Sequence, residues 1–153
     1  MSYNYKFISN LKQLDQEKTE ELDRLLEKEA SKCTKVFEVG TYAGYITLLL
    51  GGHVSDVTTI DYDHFVSPNI DEHKQLNSMH FIDRYTGPDL IELFDKHFTN
   101  DFDFVYIHRD ISSNIFIDKI KKVQTRNVTV ISYEDEKFTV TKLQAPKRSV
   151  TKS

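Results

Sequence analysis

The apolar positions of this chain change their period at Lys35. Before it, Leu11, Leu14, Leu22, Leu25, Leu26 and Ala30 recur at helical spacing among many Glu and Lys residues. That spacing predicts a helix over about residues 10–32. After Lys35, short apolar runs alternate with amphipathic segments. Val36–Val39 reads as a first strand, Gly44–Leu50 as a short helix closed by Gly51-Gly52, and Asp56–Ile60 as a second strand. Ser67-Pro68 has the form of a cap with proline at the first helical position, opening a helix that runs to Leu76. His80–Ile82 is a weak third strand, and Gly87–Phe98 an amphipathic helix on Leu90, Ile91, Leu93, Phe94 and Phe98.

Phe102–Ile107 is a near-continuous apolar run, the pattern of a central parallel strand buried on both faces. Ile115–Val123 reads as the next helix and Val128–Ser132 as the fifth strand. Phe138–Leu143 alternates after a short acidic turn, which predicts an antiparallel edge strand. Strands alternating with helices in this way imply a single doubly wound, Rossmann-like α/β domain of three layers over residues 1–143. Its sheet is mainly parallel with an antiparallel last strand. Residues 144–153 contain Pro146 and no apolar pattern, and are expected to form a disordered tail.

Composition narrows the class. A chain of 153 residues, 39% hydrophobic and 29% charged, suits one soluble core. No stretch approaches the ~20 apolar residues of a membrane span. The first residues carry no apolar secretory core, and the lone Cys33 excludes an intrachain disulfide, so a cytoplasmic location is expected. A net charge of −4 argues against broad binding to nucleic acid, although Lys119, Lys121, Lys122, Arg126, Lys147, Arg148 and Lys152 gather late in the chain. Those read as a solvated helix face followed by the tail.

Doubly wound sheets bind ligands beyond the carboxyl ends of their strands. Four segments converge there: Glu38-Val39-Gly40-Thr41-Tyr42-Ala43-Gly44, then Asp61, then Asp83-Arg84-Tyr85-Thr86, then His108-Arg109-Asp110. Glycine at a strand-to-helix turn tolerates left-handed dihedrals and lets a ligand approach the main chain. Asp61 lies 21 residues after Gly40, where an acid can hold a ribose diol. A dinucleotide fingerprint would need glycine two positions after Gly40, and Tyr42 stands there instead. His53, His64, His73, His80 and His97 show no zinc-ligand spacing.

At these residues the chain resembles the class I S-adenosylmethionine-dependent methyltransferases, nearest to the small-molecule O-methyltransferases of the catechol type. Their first motif, Glu-x-Gly-x-x-x-Gly-Tyr, is matched by Glu38, Gly40, Gly44 and Tyr45, and their ribose-binding acid by Asp61. Their fourth strand often opens Phe-Asp, as Phe102-Asp103 does. The resemblance covers about residues 35–132 and implies S-adenosylmethionine as cofactor. It implies cofactor contacts at Glu38, Gly40, Thr41, Tyr42, Gly44, Asp61 and Tyr62, although Tyr42 and Tyr62 read equally well as core. After the third strand the family's small-acidic signature gives way to Arg84-Tyr85-Thr86, which leaves the adenine contact open and Tyr85 as a candidate cofactor contact. Glu38 either faces the methionine end of the cofactor or caps the next helix.

Where the catechol-type enzymes place a metal-binding aspartate, this chain has His108, so no metal is carried over. His108 is the candidate general base, with Asp110 to orient it. The competing readings are a hydrogen-bonded strand end and a helix cap. Glu134 and Asp135 after the fifth strand could replace missing metal ligands, or form a solvated turn. Only about 20 residues follow that strand, too few for the family's acceptor-covering cap. Two functions remain. One is methyl transfer to a small-molecule oxygen or nitrogen, with a second subunit of a homo-oligomer walling the acceptor. The other is a minimal, non-catalytic fold that binds cofactor or joins a protein partner.

Overall fold

The computed structural model describes residues 14–41, 44–62, 81–108 and 112–146. The central strand is β1 (Lys35–Val39), and Asp103 fixes where it begins. The Asp103 carboxylate accepts from the backbone N–H groups of Thr34 and Lys35 at 3.1 Å each. Asp103 is therefore a clamp rather than a strand residue, and β4 (Phe104–Ile107) starts just after it, two residues later than the apolar run suggests. The remaining strands are β2 (Asp56–Tyr62), β3 (Ile82–Gly87), β5 (Val128–Glu134) and β6 (Lys137–Leu143).

They form one six-stranded sheet in the order β3-β2-β1-β4-β5-β6. All neighbours run parallel except β5 and β6, the antiparallel last pair expected from the alternation of Phe138–Leu143. The strand order reverses between β1 and β4, which makes their carboxyl ends the topological switch point.

Helices cover both faces. On one lie α1 (Gln16–Glu29) and α2 (Tyr45–Gly51), whose Leu22, Leu26, Ile46 and Leu50 pack with Val36, Val57 and Tyr106. On the other lie α3 (Leu90–His97) and α4 (Ser113–Val123), whose Phe94, Phe116 and Ile120 pack with Phe37, Ile60 and Val105. Phe37 anchors this second layer, meeting Phe94, Phe98 and Phe102 edge-on at 5.1, 5.5 and 5.1 Å. Edge-to-face contact at such separations is the favoured arrangement of aromatic quadrupoles.

Polar caps set the helix bounds more tightly than the apolar pattern does. Asp15 caps α1 through Lys18 N–H at 2.7 Å, so this helix opens at Gln16, while the expected start near residue 10 lies outside the described residues. Asp89 and Ser112 similarly cap α3 and α4. The third strand is the clearest correction. It spans Ile82–Gly87, not His80–Ile82, so Arg84-Tyr85-Thr86 lies within the strand and not after it. As an edge strand it buries only Ile82 and Gly87, and hence carries no apolar signature. The helix expected from Ser67 to Leu76 lies outside the described residues. Beyond β6, Ala145 N–H donates to Asn127 Oδ1 at 2.7 Å, and residues 147–153 also lie outside the description.

The β5–β6 hairpin turns on Asp135 and Glu136, with φ of 51° and 61°. Two-residue hairpin turns favour this left-handed backbone because it matches strand twist, yet side-chain-bearing residues pay for it. Asp135→Asn combined with Glu136→Gly is expected to stabilise the fold by about 1 kcal/mol. A thermal melt would then rise by roughly 2–4 °C. An unchanged or lowered midpoint would show that Asp135 and Glu136 make compensating contacts.

Candidate functional site

The carboxyl ends of three strands are stitched together by backbone hydrogen bonds. Gly40 N–H donates to the Ile60 carbonyl, and His108 N–H to the Val39 carbonyl, both at 2.9 Å. The turn after β1 then leaves the sheet through two left-handed glycines, Gly40 at φ 104° and Gly44 at φ 96°. Gly44 N–H closes the turn on the Thr41 carbonyl at 2.8 Å, and Gly44 is the N-cap residue of α2. Any side chain at these two positions would be strained, so both glycines serve the turn itself. Tyr42, another expected contact, lies outside the described residues.

Glu38 is completely buried where β1 meets this turn. Its neighbours in the sheet are Thr59 of β2 and Tyr106 of β4. Its Oε1 accepts from the Thr47 hydroxyl on α2 and from Thr59 Oγ1 at 2.7 Å. Thr59 Oγ1 lies 2.6 Å from Thr41 Oγ1. Because Thr59 gives its one hydroxyl proton to Glu38, Thr41 must be the donor in that second contact. The hydroxyl chain therefore runs from the turn into the carboxyl group. Oε2 is buried and has no hydrogen-bond partner. Burial pushes the carboxyl up to about 8, the nearby Asp61 adds to the rise, and the two threonine hydroxyls oppose it.

Asp61 is buried at the end of β2, two residues beyond Thr59 and on the same face. Its Oδ1 accepts from Tyr62 N–H at 2.8 Å. Tyr62 itself points to the opposite face, packed beside the Phe37 cluster. Tyr85 is also on that face: its ring stacks on His97 of α3 at 3.7 Å and 9°. Gly40, Thr41, Gly44, Glu38 and Asp61 are thus brought together, whereas Tyr85 lies across the sheet from them. Thr47 and Thr59 escaped the reading of the sequence. Their signal is weak, since a threonine in a buried strand or helix reads as ordinary packing.

His108 follows β4 on the Glu38 face, largely buried, with Nδ1 at 2.8 Å from the Tyr106 hydroxyl. Its ring tilts against Tyr133 at 5.0 Å. Asp110 lies outside the described residues. Glu134 is occupied as a helix cap: its carboxylate accepts from Ser113 N–H at 3.0 Å, which lowers its pKa. Asp135 is spent in the hairpin turn. Among the described residues, no group of three His, Cys, Asp or Glu side chains is arranged to hold a metal ion.

A shallow cleft of about 540 Å³ opens at the other, amino end of the sheet, beside the last turn of α1. Its acids are already engaged, Glu29 by Lys142 and Asp103 by the β1 clamp. Burial first, and then Asp103, push the Cys33 thiol there up to about 11, so it is not a nucleophile at neutral pH.

No family model matches the chain, and no curated protein matches it. Solved structures do. The SAH-bound methyltransferase PaMTH1 of Podospora anserina superposes with a TM-score of 0.64 at 12% identity, over 78% of this chain and 53% of its own. The O-methyltransferase of Bacillus cereus in complex with SAH gives 0.62 at 19%, over 82% and 60%. The O-methyltransferase TomG of Streptomyces achromogenes, in complex with SAM, gives 0.58 at 18%, over 78% and 56%. At such identities the likeness establishes the fold, the Rossmann-like sheet of methyltransferases. The chain spans 53–60% of the length of these structures. Among the described residues, no helix is long and apolar enough to cross a membrane.

The native state keeps the Glu38 proton up to about pH 8, while the unfolded chain releases it near 4.5. The native state binds more protons in that window, so stability falls as pH rises through it. Glu38→Gln retains an oxygen acceptor for Thr47 and Thr59 and removes the ionisation. Its melting midpoint should rise relative to the wild type between pH 5 and 8.5, the window set by the shifted carboxyl. The gain is expected to widen steadily with pH across that window. A difference that stays flat with pH would contradict the burial account.

Proposed function

We propose that this chain binds S-adenosylmethionine at the carboxyl ends of β1, β2 and β4 and transfers its methyl group to a small-molecule oxygen or nitrogen. One observation carries the reading: the left-handed Gly40–Gly44 turn stands beside two buried acids, Glu38 and Asp61, at the switch point of the sheet. Three solved proteins with this fold are named as methyltransferases, two with SAH and one with SAM. The residues fit such a ligand. Bare glycine backbone admits the nucleoside, Asp61 sits where a ribose diol is held, and Thr41 lines the turn. When bound, the sulfonium supplies an electrophilic methyl group.

The protein's own part is alignment, exclusion of water and removal of the acceptor's proton. His108 is the group placed for the last task. Its Nε2 can accept a proton in the tautomer that carries Nδ1–H, and the Tyr106 hydroxyl 2.8 Å from Nδ1 can accept from that N–H. In the same reading a second copy of the chain would complete the wall around the acceptor. A cytoplasmic location belongs to the same reading.

Glu134, held as a helix cap by Ser113 N–H and so not free for chemistry, favours a second reading, a cofactor-binding module that joins a protein partner and does not catalyse. Calorimetric titration with S-adenosylmethionine and S-adenosylhomocysteine tests the shared premise. Micromolar binding, weakened at least about tenfold by Asp61→Ala, is expected, and a loss of that size matches a charge-assisted hydrogen bond. Failure of both ligands to bind would overturn both readings. His108→Ala separates them. The catalytic reading expects retained binding with turnover reduced by about 10²–10⁴-fold, while unchanged turnover would remove His108 from the mechanism.

A further inference from the structure

We infer that Glu38 is a charge-selecting residue: it favours a cationic ligand over its neutral counterpart and gives up a proton when the cation arrives. This rests on the cofactor site proposed above. The argument begins with the direction of the hydroxyls. Thr47 donates to Oε1, Thr59 donates to Oε1, and Thr41 donates to Thr59. Donors converging on one oxygen are an arrangement built for a carboxylate, since a hydrogen bond to the charged form favours it. Burial works the other way. Glu38 has no exposed surface, its Oε2 has no partner, and among the described residues no cationic side chain pairs with it.

Burial outweighs the hydroxyls, and the carboxyl is left protonated with its titration just above neutral pH, at about 8. A poised group responds to a modest change in its field. An opposite charge within ~4–6 Å favours the ionised form. A sulfonium held over the Gly40–Gly44 turn would add one positive charge beside Glu38. The thioether left after methyl transfer would not. The site would then hold the reactive cofactor more tightly than the spent one, and the Glu38 proton would return as the product forms.

The other titratable groups on this face bear on the reading. Among the described residues they include Asp61 on β2, Tyr106 and His108 on β4, Tyr133 on β5 against the His108 ring, Tyr45 on α2 and, one strand beyond Thr59, Arg84 on β3. Asp61 opposes ionisation of Glu38 and so sharpens the preference for a cation. Arg84 is two strands from Glu38, and one of its guanidinium nitrogens is buried without a partner. It shares the row with Glu38 but does not bond to it.

Calorimetry at neutral pH in buffers of different ionisation enthalpy counts the protons released on binding. Both ligands carry an α-amino group that itself titrates near neutrality, and Glu38→Gln subtracts that contribution. Wild-type protein should release more protons with S-adenosylmethionine than the variant does, and the two proteins should match with S-adenosylhomocysteine. The wild-type preference for the sulfonium ligand should shrink about fivefold or more in the variant, as linkage of one shared proton requires. Infrared difference spectra of the wild type provide a reading that needs no variant. The protonated-carboxyl C=O band should disappear on adding the sulfonium ligand and persist with the thioether. Equal proton release in both proteins, or a persistent band with both ligands, would overturn the inference while leaving the cofactor site standing. Absence of binding by either ligand would overturn the site and the inference together.

Discussion

The constraint from which the rest of this structure follows is an acid at the centre of a parallel sheet. β1 lies between β2 and β4, so every side chain after its first residue is buried, Glu38 included. A carboxyl group in that position is costly unless it is satisfied or neutral. The chain does both in part. Threonines from α2 and β2 engage one oxygen, while the other stays unpartnered and the proton is retained. Those hydroxyls also bind three elements together, fixing the start of α2 against β1 and β2. The turn that joins them can then close only through left-handed glycines.

The amino end of the sheet is ordered by a different carboxylate. Asp103 ties the first residues of β1 to β4, and Lys35 reaches back to Asp101 at 3.1 Å and over the Phe102 ring. One end of the sheet is thereby closed by structural charge pairing, whose surface members contribute little on their own. The carboxyl end carries buried and incompletely satisfied polar groups. Unsatisfied buried atoms are tolerated where a function needs them, and one of them, Glu38 Oε2, lies beside the topological switch point.

The sequence made the strands flanking the switch point legible because burial on both faces writes continuous apolar runs, as in Val36–Val39 and Phe104–Ile107. The two glycines were legible for a related reason: nothing else fits a left-handed turn at a strand end. The edge strand was not, since Ile82–Gly87 buries only its two ends and has no period to read. That displaced Tyr85 from the loop where it was expected to the far face, stacked on His97. Asp15 and Asp103 were legible only as charges, although each ends an element by accepting backbone N–H groups. The threonine network around Glu38 was invisible, because which buried hydroxyl meets which carboxyl depends on sheet register.

Fold and site support each other without identity of sequence. The methyltransferases that share this sheet differ from the chain at four positions in five or more, and the chain covers little over half of each. The functional account therefore stands on the geometry of the β1, β2 and β4 ends. A crystal structure of the protein grown with S-adenosylhomocysteine tests it most directly. The account expects the nucleoside over the Gly40–Gly44 turn with its ribose hydroxyls on Asp61. Ligand seated instead in the amino-end cleft between Lys28 and Lys142 would contradict it.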